Sequence, residues 1–164
     1  SRGPDGKGGR LKSMVNFPKN VGGRLYIADN LIKKFECVEE IGNGLDISYN
    51  KLTSLDGIPR NINGNFEING NKISSLKGIG NFTMKGFIKV NENPVKDCIL
   101  GLLKVKGLDS IAFYESQRRY EGPEHKKFHD ALEIIMKYVG KGNSGIIEAQ
   151  QELIDKDLEE YAEF

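Results

Sequence analysis

A pattern of about twenty residues recurs four times in this 164-residue chain and predicts its architecture. Each copy places apolar residues at fixed positions around one asparagine, and the four asparagines are spaced by 20, 21 and 22 residues. A unit this short cannot bury its apolar side chains alone, so neighbouring copies must stack into a solenoid with one continuous core. The copies are Leu25-x-Ile27-x-x-Asn30-x-Ile32-x-x-Phe35, Leu45-x-Ile47-x-x-Asn50-x-Leu52-x-x-Leu55, Phe66-x-Ile68-x-x-Asn71-x-Ile73-x-x-Leu76 and Ile88-x-Val90-x-x-Asn93-x-Val95-x-x-Cys98.

The asparagine of each copy follows a predicted strand, at the point where the chain must turn inside a packed stack. Such a turn leaves backbone groups unpaired unless a side chain reaches them, and an asparagine amide offers two donors and an acceptor. A single asparagine there would be an ordinary exposed turn residue, but four in one register favour a buried ladder between coils. The predicted ladder consists of Asn30, Asn50, Asn71 and Asn93.

Alternation within each copy predicts a short strand with one face in the core and the other on an open sheet. In the segment 45–47, for example, two apolar residues flank an aspartate. Parallel stacking brings the outward residues of successive strands into rows, and aromatic and charged side chains on a rigid surface are typical of protein hot spots. We expect either a protein-binding surface here or a face that is merely solvated or covered by C-terminal helices. The predicted contact residues are Tyr26, Asp46, Glu67, Phe87 and Lys89.

The connections repeat as well as the strands, since residues 17–25 and 58–66 match position for position. Gly and Asn-Gly pairs stand directly before the strands, where a positive φ costs little. This turn chemistry predicts thin coils with irregular or 3₁₀ returns. The most distinctive segments are Ser48-Tyr49-Asn50-Lys51-Leu52-Thr53-Ser54-Leu55-Asp56-Gly57-Ile58-Pro59 and Gly64-Asn65-Phe66-Glu67-Ile68-Asn69-Gly70-Asn71-Lys72.

With these segments, residues 17–98 resemble a group of short leucine-rich-repeat proteins found in tailed bacteriophages and some bacteria. The resemblance implies a recognition surface without a shared catalytic residue, carried by a virion-associated or host-directed accessory protein. We expect no cofactor. Residues 1–16 and 115–164 lie outside it.

The period changes after the repeats, and a last strand is expected at residues 110–113. Pro123 is suited to open a helix, an apolar stripe follows at helical spacing, and Gly140 is suited to end it. We therefore predict an α+β chain: a short leucine-rich-repeat-like β solenoid of four to five coils with a C-terminal two-helix cap or appendage. The expected parts are a basic glycine-rich arm at 1–16, the solenoid at 17–114 and a helical region at 115–164, with helices at about 123–139 and 145–162.

Net charge is only +1, but the charges are unevenly distributed. The arm is basic and rich in glycine, so it is expected to be a solvated, disordered terminus or a segment that lies along phosphates or an acidic protein surface. No aromatic residue is interleaved for base stacking, which disfavours nucleic acid. The arm residues that such contacts would use are Arg2, Lys7, Arg10 and Lys12.

Membrane and secretory roles are not expected. No apolar stretch approaches the roughly 18 residues of a membrane span, and the first ten residues lack the apolar core of a secretory signal. We therefore expect a cytoplasmic protein of the producing cell, or a virion component if a phage encodes it.

Candidate chemistry is sparse. Cys37 and Cys98 lie almost three coils apart, too far for a disulfide, and Cys98 occupies a core position of its repeat. His125 and His129 share a helix face, but a metal would need a third ligand from Glu121, Glu124 or Asp130, so solvated histidines are expected.

Three functional classes remain. The favoured one is a non-enzymatic protein-recognition module, because the informative residues build a scaffold and none assembles a nucleophile with a base. The alternatives are a nucleic-acid-associated protein that uses the basic arm, whose binding would weaken with salt, and an enzyme with a metal on the C-terminal helix.

Overall fold

The computed structural model describes residues 11–112 and 123–164. In this part of the chain, short strands stack in parallel and two helices follow them. The strands are β1 (Asn20–Val21), β2 (Leu25–Tyr26), β3 (Glu40–Ile41), β4 (Leu45–Asp46), β5 (Phe66–Glu67), β6 (Thr83–Lys89) and β7 (Lys106–Ile111). The main sheet has the order β2-β4-β5-β6-β7, with every neighbouring pair parallel, and β1 and β3 form a second, smaller parallel pair.

The register of the main sheet reproduces the sequence repeat. Leu25 pairs with Leu45, Leu45 with Phe66 and Phe66 with Ile88. The apolar positions of all four copies are buried, and all of them except Cys98 belong to one core, as the stacking argument requires. The predicted α+β solenoid is therefore confirmed.

The asparagine ladder is confirmed in its predicted register. Asn71 donates from Nδ2 to the carbonyl of Ile68 in its own coil (3.0 Å) and of Ile47 in the preceding coil (3.1 Å). Its Oδ1 accepts the N–H of Leu52 at 3.0 Å. Asn50 and Asn93 make the equivalent bonds, so each coil is fastened to the previous one through buried polar groups. Asn30 is buried at the first position of the ladder.

The returns between strands are thin, as predicted. Two of them contain short 3₁₀ helices, at Ile79–Asn81 and Leu100–Lys104, and no described return contains an α-helix. The last strand differs from the expectation of residues 110–113, because β7 begins earlier, at Lys106. Phe113 lies outside the described residues.

Residues 11–16, which were expected to lie in the N-terminal arm, belong to the stack. Leu11 donates its N–H to Asn30 Oδ1 at 3.1 Å, just as Ile32 donates to Asn50 Oδ1. Met14 is fully buried, at the place that Phe35 takes in the next coil. These residues therefore form the returning half of an additional coil, and the expectation that they lie in an unpacked arm is wrong. Arg2, Lys7 and Arg10 lie outside the described residues.

Both C-terminal helices are shorter than expected. Helix α1 spans Pro123–Met136 and α2 spans Gly142–Asp155, against predictions of about 123–139 and 145–162. Between α1 and Gly140, backbone hydrogen bonds join residues three positions apart, as in a 3₁₀ turn. Tyr138 N–H, for example, donates to Ile135 C=O. After α2, Asp157 adopts a positive φ of 58° and Leu158 N–H bonds Leu153 C=O, a Schellman-type ending. A separate 3₁₀ helix follows at Glu159–Tyr161.

The helical region caps the end of the solenoid. The Tyr161 hydroxyl donates to Val95 C=O at 3.2 Å, and Leu100 N–H donates to Glu163 C=O at 3.2 Å. Phe128 stacks on Tyr161 with ring centroids 6.2 Å apart. A solenoid end exposes core side chains, and these contacts cover them. Among residues 11–112 and 123–164, neither helix is long and apolar enough to span a bilayer.

Candidate interaction surface on the open sheet face

The outward residues of the main sheet form three rows across successive coils. The pairings of Tyr26 with Asp46, Asp46 with Glu67 and Glu67 with Lys89 confirm the predicted row. We name it the first row. The second row lies two residues further along each coil, just beyond the end of the strand, and the turn row follows directly after the second row. The first row is Tyr26, Asp46, Glu67 and Lys89; the second row is Ala28, Ser48, Asn69 and Asn91; the turn row is Asp29, Tyr49, Gly70 and Glu92.

Asp46 and Glu67 are not exposed contact residues, contrary to the sequence-based expectation. Asp46 is only 7% exposed and Glu67 only 8%, and both carboxylates contact neighbouring side chains. Asp46 Oδ1 accepts the Ser48 hydroxyl at 2.6 Å and the Ser48 N–H at 3.0 Å. Lys89 Nζ lies 3.5 Å from Glu67 Oε1. Both carboxylates are therefore covered by their neighbours and form the floor of the surface.

Arg24 belongs to the outward face predicted from the sequence but is not among the predicted contact residues, and the structure places it at the centre of this surface. Its guanidinium lies 2.7 Å from Glu67 Oε2 and 3.6 Å from Asp46 Oδ2, and thus spans from the first coil to the third. The side chain is still 51% exposed. A signal was present, because Arg24 directly precedes β2 and so belongs to the same outward face as Tyr26. Asp46 and Glu67 lie opposite each other in adjacent strands, where like charges destabilise a sheet, and the positive charge of Arg24 offsets their repulsion.

The aromatic residues of the face differ in exposure. Tyr26 is 52% exposed, with the Arg24 guanidinium 5.7 Å from its ring centroid. Phe87, one of the predicted contact residues, is half-buried, with Lys89 Nζ 5.5 Å from its ring centroid. Around the first row, the exposed side chains are therefore Arg24 and Tyr26, and Phe87 and Lys89 contribute partly covered edges.

The turn row has a left-handed backbone in all four coils. Asp29, Tyr49, Gly70 and Glu92 have φ between 52° and 70°. Tyr49 lies over Gly70, where any Cβ would collide with its ring. Partial burial, then the adjacent Glu92 carboxylate and finally the charge of Asp29 raise the pKa of Tyr49 to about 12, although the amide of Asn69 acts in the opposite direction.

Two oxygens of the second row lack partners. Asn69 and Asn91 are 6% and 3% exposed, and within the described part of the chain their Oδ1 atoms accept no hydrogen bond. The residues before them, Ile68 and Val90, are buried in the core, so the two amides belong to the open face just beyond the ends of β5 and β6. An unpaired buried acceptor costs about 1–3 kcal/mol, which makes two in adjacent coils an unusual feature.

Other candidate chemistry is not assembled. Cys98 is buried as predicted, and burial together with Asp97 raises its thiol pKa, whereas Cys37 is exposed. His125 and His129 are half-buried and thus less solvated than expected. Among the described residues, no group of three or more His, Cys, Asp or Glu side chains is placed to hold a metal ion. Glu121 and the side chain of Glu124 lie outside that description. Lys12 is exposed in the half-coil at residues 11–16.

No protein-family model, curated protein or solved structure matches the chain. The fold and the open face therefore define its class, which is a short-coil parallel β-solenoid with a helical cap.

Proposed function

We propose that this protein is a non-enzymatic protein-recognition module whose open sheet face binds a protein partner. The observation that carries the proposal is the presentation of Arg24 and Tyr26, both about half exposed, above a buried carboxylate floor. Arginine and tyrosine are enriched among interface hot spots. A neighbouring pair of this kind, held on a stack of strands, provides a surface suited to a protein partner.

The physical advantage of this arrangement is preorganisation. Binding normally costs side-chain entropy, about 0.5–1.5 kcal/mol for each long side chain that becomes fixed. Arg24 is already held by Glu67 and Asp46 and lies beside the Tyr26 ring. A partner that contacts this guanidinium therefore loses little binding free energy to side-chain ordering, because Arg24 is already held in place in the free chain.

The resemblance to short leucine-rich-repeat proteins supports a phage-type accessory protein, either virion-associated or host-directed. The partner would accordingly be a host or virion protein. The helical cap is less suited to supply the contact, because Phe128 and Tyr161 pack on the end of the solenoid and the exposed ring of Phe164 already has Lys104 Nζ 3.5 Å from its centroid.

The proposal is tested by capture of proteins from lysates of phage-infected and uninfected bacteria with the immobilised chain. Wild-type protein is compared with Tyr26→Ala, alone and combined with Arg24→Ala. A matched control, Ile147→Ala with Ile154→Ala, removes exposed apolar side chains from the outer face of α2. Thermal melts establish that each variant is folded before capture.

The expected result is a captured protein that the control retains and that the Tyr26 and Arg24 variants lose. Retention by the folded sheet-face variants, with loss in the α2 control, would contradict the proposal and assign the contact to the helical cap.

A further inference from the structure

A cavity on the smaller sheet is separate from the open face of the main sheet. Its volume is about 520 Å³, within the range of about 300–1,000 Å³ that is usual for ligand pockets. Its walls come from three successive coils, and none of the lining residues belongs to the first row, the second row or the turn row. The polar and charged residues that line the cavity are all exposed, so a ligand can reach them from solvent: Asn20, Glu39, Glu40, Arg60, Asn61 and Asn63.

The cavity lies where hydrogen bonding between neighbouring coils is interrupted. On one side, β3 is paired with β1. On the other side, the segment 60–63 of the third coil is bonded to the fourth coil, with Ile62 N–H donating to Thr83 C=O at 2.9 Å. Within residues 11–112, no backbone hydrogen bond joins β3 to the segment 60–63.

The sequence provides a reason for the interruption. Pro59 has no N–H to donate. The stretch from Ile58 to Ile62, both buried, is one residue longer than the corresponding stretch from Val38 to Ile41. The second and third coils therefore differ in length just before the point where their strands would pair.

The third coil presents unpaired main-chain groups at this interruption. Alternate residues of a parallel strand direct their N–H and C=O groups to opposite neighbours. Because Ile62 is bonded to the fourth coil, the main-chain groups of Asn61 and Asn63 face the second coil, and within the described part of the chain they have no hydrogen-bond partner. An extended peptide carries the same alternation of donors and acceptors, and pairing with a free strand edge is a common mode of peptide recognition.

The two walls of the cavity carry opposite charges. Glu39 and Glu40 lie on the wall from the second coil, and Arg60 lies on the wall from the third coil. The Arg60 guanidinium is 4.6 Å from the centroid of the Phe82 ring, which positions its charge at this wall. A ligand with one basic and one acidic side chain complements both walls, whereas a ligand of a single charge is repelled by one of them.

We propose that this cavity binds an extended peptide segment of a protein partner. The main chain of the segment pairs with Asn61 and Asn63. A basic side chain of the segment lies beside Glu39 and Glu40, and an acidic side chain lies beside Arg60. This site goes beyond the proposed function, because it lies on the smaller sheet and none of its contacts involves the main sheet.

The test uses the blocked peptide acetyl-Lys-Val-Thr-Glu-amide as the probe, titrated into the ¹⁵N-labelled full chain and followed by NMR. Valine and threonine favour the extended conformation. The control peptide has the same sequence with the valine and threonine nitrogens methylated, which keeps both charges and removes two N–H donors. Successive N–H groups of an extended chain point to opposite sides, so methylation of both removes the donor that faces the cavity.

The expected result is a saturable shift of the Asn61 and Asn63 amide signals by the probe, with binding of the methylated control weaker by about tenfold through the loss of main-chain hydrogen bonds. Equal binding of the two peptides, or shifts confined to other parts of the chain, would overturn the proposal.

Two matched variants test the charge of the third-coil wall. Arg60→Glu reverses that charge, and Lys19→Glu makes the same change at an exposed residue that follows Pro18 as Arg60 follows Pro59 but does not line the cavity. Thermal melts establish that both variants are folded. Arg60→Glu is expected to weaken probe binding by about three- to tenfold, and Lys19→Glu to leave it unchanged. Equal weakening by both variants, or by neither, would contradict the assignment.

Maltotriose tests an oligosaccharide as the other class of ligand for a polar cavity. No shift of the Asn61 and Asn63 signals is expected with maltotriose. A saturable shift of these signals by maltotriose, with none by the peptide, would overturn the proposal and assign the cavity to a polyol.

Discussion

Replacement of Asn71 by alanine tests the internal ladder that fastens the coils together. Each ladder carbonyl is shared, because Ile47 C=O also accepts from Asn50 and Ile68 C=O also accepts from Asn93. The N–H of Leu52 is different, since Asn71 Oδ1 is its partner at 3.0 Å. Asn71→Ala therefore strands one buried donor completely and removes one hydrogen bond from each of three acceptors, the carbonyls of Ile47, Ile68 and Asn69. We expect a loss of about 2–4 kcal/mol in the free energy of unfolding.

The assay is urea unfolding at equilibrium, with the m-value compared between variants. Lys51→Ala, which alters an exposed side chain of the same coil, is the matched control and should change stability by less than about 0.5 kcal/mol. If Asn71→Ala changed the free energy of unfolding as little as that control does, with an unchanged m-value, the buried ladder would not stabilise the fold as its geometry implies.

Three further results are expected. Reversing both charges of the carboxylate floor, Asp46→Lys with Glu67→Lys, should lower the thermal midpoint, because the carboxylates are buried and paired; an unchanged melt would show that they are solvated, as the sequence suggested. Met14→Ala should lower the free energy of unfolding in urea by about 2–4 kcal/mol, because it removes a fully buried methionine side chain. An unchanged free energy would show that residues 11–16 do not pack in the stack. In a spectroscopic pH titration, Tyr49 should ionise near pH 12, and Glu92→Gln should lower the pKa of Tyr49. Because the raised pKa favours the protonated hydroxyl, the contribution of Tyr49 to stability is complete below the ordinary tyrosine pKa and is lost as pH rises through about 12.

The repeat was readable from sequence because its spacing directly encodes contacts. The positions of Asn50 and Asn71 in their copies are sufficient to predict a strand register and a buried amide ladder, and both are present. The returning half-coil was missed for the opposite reason. Met14 and Leu11 occupy repeat positions, but the strand half that would identify the copy does not precede them in recognisable form.

The state of the carboxylate floor was not predictable from alternation alone. Period two places Asp46 and Glu67 on the outward face, but it does not say that Arg24 reaches across two coils to both of them. Burial on an open face depends on the lengths of neighbouring side chains, which a repeat pattern does not encode. The end of α2 was missed similarly, because Asp157 adopts the left-handed conformation that usually identifies a glycine.

The central claim, that the open sheet face contacts the partner, is tested most directly by site-specific photocrosslinking. A photoreactive phenylalanine analogue is placed at Tyr26 or, as the matched control, at Ile147 on the outer face of α2; both positions are exposed. The chain is then irradiated in lysates of phage-infected and uninfected bacteria. The proposal predicts a covalent adduct of one defined protein from position 26 and none from position 147. An adduct from position 147 alone would contradict the claim and place the contact on the helical cap.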